Sequence, residues 1–179
     1  MSTVHGLPVH VLLVHAVVVL VPLCGLILAL SSVWPAARRR LAAPNALLGL
    51  FTLVLVPVTT SAGEWLQGHV DSGALVRHHA ELGDTAIWFT VPVAALAVLM
   101  WWRNREIAAA DGHLPPPGPL SRILAHDRPL LAPRSSAVAA VIASACIVTA
   151  GAAAYDIYRI GDSGAKAAWH DGFDASSDH

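Results

Sequence analysis

The dominant constraint on this 179-residue chain is the spacing of its apolar residues. Four nearly charge-free stretches, 9–30, 46–62, 85–102 and 137–158, alternate with charged or proline-rich segments. A helix rises about 1.5 Å per residue and a hydrocarbon core is about 30 Å thick, so each stretch can span, the second only just. With 55% hydrophobic and 13% charged residues, a chain this short buries too little surface to hide its Val, Leu and Ala as a water-soluble globule. The expectation is an all-α, multi-pass transmembrane four-helix bundle over residues 1–160. Its spans fall at about 9–30, 46–62, 80–102 and 137–158, and a polar, flexible tail follows over 161–179.

The first stretch reads as a span rather than a cleaved signal peptide. MSTVHGLP ahead of it holds no Lys or Arg, and no small-residue cleavage site precedes Arg38, Arg39 and Arg40. Those three arginines, with Arg103, Arg105, Arg122, Arg128 and Arg134, sit in the segments after the first and third spans; Arg77, Arg159 and Lys166 fall on the other side. The bias places both loops in the cytoplasm and both termini outside. Trp34, Trp101 and Trp102 then mark the inner interface, and Trp65, Tyr155 and Tyr158 the outer one. The single Lys against ten Arg, with abundant Ala, suggests a GC-rich bacterial genome and hence a bacterial plasma membrane.

Pro22, Pro57 and Pro92 lie inside the first three spans, as ordinary membrane-helix prolines do. The fourth is rich in small residues; Ala139, Ala143 and Gly151, or Ala145, Thr149 and Ala153, form a stripe suited to close helix packing. Before it, a proline-rich stretch reads as a stiff linker with a short amphipathic turn at the interface, carrying His113 and His126 as surface residues. Cys24 and Cys146 read as buried, inert thiols at different depths.

Chemistry concentrates at one end. His5, His10, His15, His69, His78, His79, His170 and His179 fall on the outer side, together with nine of the twelve acids. Counting from the helix ends puts His15 roughly 9 Å down the first span and Asp84 roughly 7 to 8 Å down the third. Because intramembrane ionisable groups usually pair, His15 with Asp84 is the first expected contact. Thr59, Thr60 and Glu64 lie close enough to complete a network, with His10 and His79 above it. His10 and His15 are about 140° apart around a helix and His78 and His79 about 100°, so only one of each pair faces inward squarely.

Three readings follow for His10, His15 and His79. The first is a haem b site, in which imidazoles from two helices clasp the iron while Glu64 and Asp84 orient them or carry linked protons. The second is a transition-metal site on the same imidazoles and carboxylates. The third is a structural or assembly protein whose polar cluster only fixes helix packing. No nucleophile elbow, phosphate loop or zinc-protease motif suggests a catalytic activity of its own, and nothing points to nucleic acid.

GLPVHVLLVH near the start, TTSAGE after the second span, VRHHAELGD before the third and RIGDSGAKAAW after the fourth appear in that order. In this set the chain resembles the bacterial membrane-protein family called domain of unknown function 2231. The resemblance carries the family's paired N-terminal histidines onto His10 and His15, its glutamate onto Glu64, and its histidine and aspartate onto His79 and Asp84. The turn of small residues falls on Gly161, Ser163, Gly164 and Ala165. This chain departs from the pattern at Ala16, Val17 and Asp162. Family members similar to fusions with a Rieske-type iron-sulfur domain imply membrane electron transfer. This chain has no Cys-His pairs for such a cluster, so a Rieske-type protein would be a partner, alongside the lipid bilayer.

Overall fold

The computed structural model describes residues 3–4, 7–69, 73–112, 131 and 135–174, without the side chains of residues 3–8 and 170–174. A two-residue antiparallel ladder, β1 (Thr3–Val4) with β2 (Leu7–Pro8), leads into five helices among the described residues. These are α1 (Val9–Val33), α2 (Pro35–Gln67), α3 (Ala74–Gly83), α4 (Ala86–Ala110) and α5 (Ser136–Asp174). Four units are long and apolar enough to cross a membrane: α1, α2, α3 with α4, and α5.

Several boundaries differ from expectation. Arg38, Arg39 and Arg40 are not in a loop: only Trp34, in an extended conformation, separates α1 from α2, and the arginines occupy the first turns of α2 behind Pro35. Pro at a first helical position loses no intrahelical bond, so a helix can begin directly at this residue. The third span starts earlier, with α3 running almost into α4. At the junction the Thr85 N–H donates to the Leu82 carbonyl (3.0 Å), and so does its hydroxyl (2.7 Å).

The stretch expected to be a flexible tail from residue 161 is helical to Asp174. Ser163 is buried there, and Lys166 bonds Asp162 one turn back (2.7 Å). Ala165, Ala167 and Ala168 favour helix over coil in this stretch. The linker carrying His113 and His126, together with His5, His179 and the side chains of His170, Asp171 and Asp174, lies outside the described residues.

The helices form an up-down-up-down square, with α1 packed on α2 and α5, and α4 packed on the same two; α3 lies mainly against α5. The interior combines apolar side chains such as Val21, Leu28, Val56, Val93 and Met100 with small and polar residues. Gly25 meets the backbone of Ala150, and Gly49 that of Ala94, so closely that an added Cβ would sit 3.3 Å and 3.2 Å from the respective Cα atoms. Ser31, Asn45, Thr52, Thr59 and Thr90 are buried, whereas Val19, Leu47, Val54, Val141, Val148 and Trp88 point outward. That distribution suits a lipid solvent, which leaves apolar side chains no reason to turn inward and rewards close packing of small ones. Of the small-residue stripe expected on the last span, Ala153 is buried and Gly151 is exposed. The buried face of α5 instead runs through Ile142, Cys146, Ala150, Ala153, Ile157 and Ile160.

Candidate functional site at the histidine end of the bundle

Seven residues bring a helix back to within about 20° of its starting direction. His10 stands seven residues before Val17, which is buried, and Cys24 and Ser31 continue the same line. On α2, Arg38, Asn45, Thr52 and Thr59 repeat at the same interval, the last three buried. The two lines face each other antiparallel. The Asn45 amide donates to the Cys24 carbonyl (3.3 Å), and at the far end the His10 ring bonds the Thr59 carbonyl (3.0 Å). That register sets Val17 level with Thr52 and Ser31 level with Arg38. A polar seam therefore runs along the α1–α2 interface, and His10 is its last member.

The His10 bond fixes a proton. A carbonyl oxygen only accepts, so Nδ1 of His10 carries the hydrogen and Nε2 keeps its lone pair. The ring lies against Gly63, where a Cβ would sit 2.8 Å from His10 Cε1. Glycine at this position makes room for the imidazole.

His79 repeats the arrangement on α3. In step with buried Ala86, Val93 and Met100, it is half-buried against α5. A Cβ at Gly164 would lie 2.9 Å from its Cε1. Its Nδ1 is 3.0 Å from Ser163 Oγ. The Ser163 hydroxyl donates to the Ile160 carbonyl (2.8 Å), so toward the ring the serine oxygen accepts, and Nδ1 of His79 is again the donor. His10 and His79 lie close enough to interact electrostatically. Two imidazoles, one from α1 and one from α3, thus share one end of the bundle, each held through Nδ1 and each, as the neutral ring, with its lone pair on Nε2. Protein groups that hold the second ring nitrogen are the usual means of orienting a metal-binding histidine.

The other expected members are not part of this arrangement. His15 is exposed and its Nδ1 bonds the Val11 carbonyl one turn back (2.6 Å). Asp84 is exposed at the end of α3, so the expected His15–Asp84 contact does not form. The reason is angular: His15 stands two residues from buried Val17, about 200° around the helix, and faces away from the core. Glu64 is exposed beside Gly63, and His78 is exposed beside His79. His78 lines a cavity of about 150 Å³ between α3 and α5, shared with Tyr158, Arg159, Asp162 and Lys166. His69 stacks on Trp65, ring centroids 4.1 Å apart. Among the described residues, no group of three His, Cys, Asp or Glu side chains is gathered as a metal site.

Sequence reasoning missed Ser163 and the Thr59 carbonyl as the groups that hold the rings, and it missed Asp156. That carboxyl is 1% exposed on α5; Oδ1 lies 2.9 Å from Thr85 Oγ1, and Oδ2 is buried without a hydrogen-bond partner. The heptad phase was the available signal, since Asp156 stands seven residues before Ser163.

No family model, curated protein or solved structure matches the chain.

Proposed function

We propose that the protein is a bacterial plasma-membrane electron-transfer subunit, of the domain of unknown function 2231 type, that holds haem b through His10 and His79. The observation that carries this reading is the common tautomer of the two rings. Each donates from Nδ1, to the Thr59 carbonyl and to Ser163 Oγ, and each keeps its Nε2 lone pair. Two neutral imidazoles are a donor set that would hold haem iron, so His10 and His79 are the residues that would bind it. When bound, haem b supplies a one-electron couple.

The chain's own contribution is positional. Thr59 and Ser163 hold the ring planes, and Gly63 and Gly164 give the imidazoles room between helices. The apolar bundle around them lowers the local dielectric and restricts water, which would tune the potential of an iron held there. His15, Glu64 and Asp84, all exposed, are left without a ligand role in this reading. The excess of arginine in the segments following the first and third spans supports an orientation with the histidine end and both termini outside. A redox protein docking there, such as a Rieske-type iron-sulfur protein, is the partner this arrangement suits.

The test is an oxidised-minus-reduced visible spectrum of protein produced with adequate haem and purified in mild detergent. A haem α-band in the wild type that is lost in His10→Ala and in His79→Ala is expected. Absence of the band from the wild type leaves the same hydrogen bonds as devices of helix register alone.

A further inference from the structure

Asp156, which no cofactor reading uses, is enclosed between α5 and the α3–α4 junction, and the hydrogens around it do not suffice for its neighbours. The Thr85 hydroxyl has one proton and two oxygens within hydrogen-bond distance: the Leu82 carbonyl at 2.7 Å and Asp156 Oδ1 at 2.9 Å. A carbonyl cannot donate, so if the Thr85 proton goes to Leu82, the hydrogen between Thr85 and Asp156 must belong to the carboxyl.

The alternative is an ionised Asp156 that receives the Thr85 proton. It would leave a full negative charge 1% exposed, with Oδ2 lacking any partner. An ionised carboxylate without compensating hydrogen bonds is far costlier to bury than a neutral acid. The neighbouring charges do not supply the compensation. On α5, Arg159 acts on Asp156 from a distance, but it is exposed and forms no ion pair with it. Of the elements packed on α5, α1 brings His10 and His15, α3 brings Arg77, Glu81 and the two adjacent histidines, and the α3–α4 junction brings exposed Asp84; further along α5, Asp162 and Lys166 bond each other. The charged residues of α4 lie at its opposite end. Thr85 is the side chain hydrogen-bonded to the carboxyl.

We propose that Asp156 is a proton-binding site built into the membrane-spanning bundle, occupied at neutral pH, with the carboxyl O–H donating to Thr85 Oγ1 and Thr85 donating to the Leu82 carbonyl. The ligand is a single proton, and binding converts carboxylate to carboxylic acid. The site stands one heptad from Ser163, on the face of α5 that carries the His79 contact. Release of the proton would leave an uncompensated charge inside the bundle, so the site is suited to a group that empties only when the surrounding helices rearrange or another cation arrives.

Infrared difference spectroscopy of the purified full chain, without added haem or metal, tests this. The wild type should show the carbonyl stretch of an un-ionised carboxylic acid at neutral pH, and the band should shift in heavy water and disappear in Asp156→Asn. In Thr85→Val, which keeps the acid but removes its acceptor, the band should persist at a shifted frequency. Absence of the band from the wild type overturns the proposal, as does an unchanged band in Asp156→Asn or, should that variant not fold, in Thr85→Val. A band that appears only after sodium is replaced by choline also overturns it, because the resident cation would then be sodium.

Discussion

Replacing Gly63 by alanine probes the histidine end without removing a polar group. In an exposed helix interior the change is favourable by about 0.5–1 kcal/mol, because alanine loses less backbone entropy. Gly151, on the exposed face of α5 with nothing within 4 Å of the place its methyl would take, should show that gain undiluted. At Gly63 the new methyl would lie 2.8 Å from His10 Cε1 and 3.1 Å from Nδ1. Ordinary carbon contacts are about 3.5–4.0 Å, so the overlap is at least about 0.7 Å. The ring must move, and moving it endangers the His10–Thr59 bond. Overpacking costs about 1–3 kcal/mol and the lost bond about 0.5–1.5 kcal/mol. Against the helix gain, a net destabilisation of about 0.5–4 kcal/mol is expected. Thermal unfolding in detergent should therefore place Gly63→Ala below the wild type and Gly151→Ala at or above it. Haem retention should fall in Gly63→Ala alone. If Gly63→Ala matches Gly151→Ala in both measurements, His10 is not packed where the account requires it.

Gly164→Ala should behave like Gly63→Ala, since its methyl would meet His79 Cε1 at 2.9 Å; haem retention and melting temperature again provide the check. Gly49→Val sets a branched side chain against the Ala94 backbone and should cost about 1–3 kcal/mol in detergent unfolding. Asn45→Ala should cost no more than about 1 kcal/mol in the same assay, because it breaks one bond of 3.3 Å while removing a buried oxygen, Oδ1, that has no partner. His15→Ala and Asp84→Asn should leave the visible spectrum unchanged, as both side chains are exposed and neither touches the paired rings.

The helices, four units of them long and apolar enough to cross a membrane, were legible because apolar runs of this length admit few other structures. The histidine end was legible as a region but not as a set of contacts. Depth along the helices singled out His15 and Asp84, yet depth depends on where a helix begins, and α3 begins at Ala74 rather than near residue 80. Angular phase is free of that uncertainty. It puts His10 in line with Val17, Cys24 and Ser31, His79 with Ala86, Val93 and Met100, and Asp156 with Ser163, while turning His15 outward. The groups that hold the imidazoles were harder to foresee. One is a backbone carbonyl, which has no sequence signature, and the other is a serine in a segment whose polarity suggested coil. The arginines after the first span misled for a related reason: charge marks a membrane boundary, but it does not break a helix that Pro35 is free to start.

The pairing of His10 with His79 is the central claim, and low-temperature electron paramagnetic resonance of the oxidised protein tests it most directly. The account predicts a low-spin signal of iron with two imidazole ligands in the wild type and in His15→Ala, converted to high spin or lost in His10→Ala and in His79→Ala. A low-spin signal that survives both substitutions, or that disappears in His15→Ala, would contradict it.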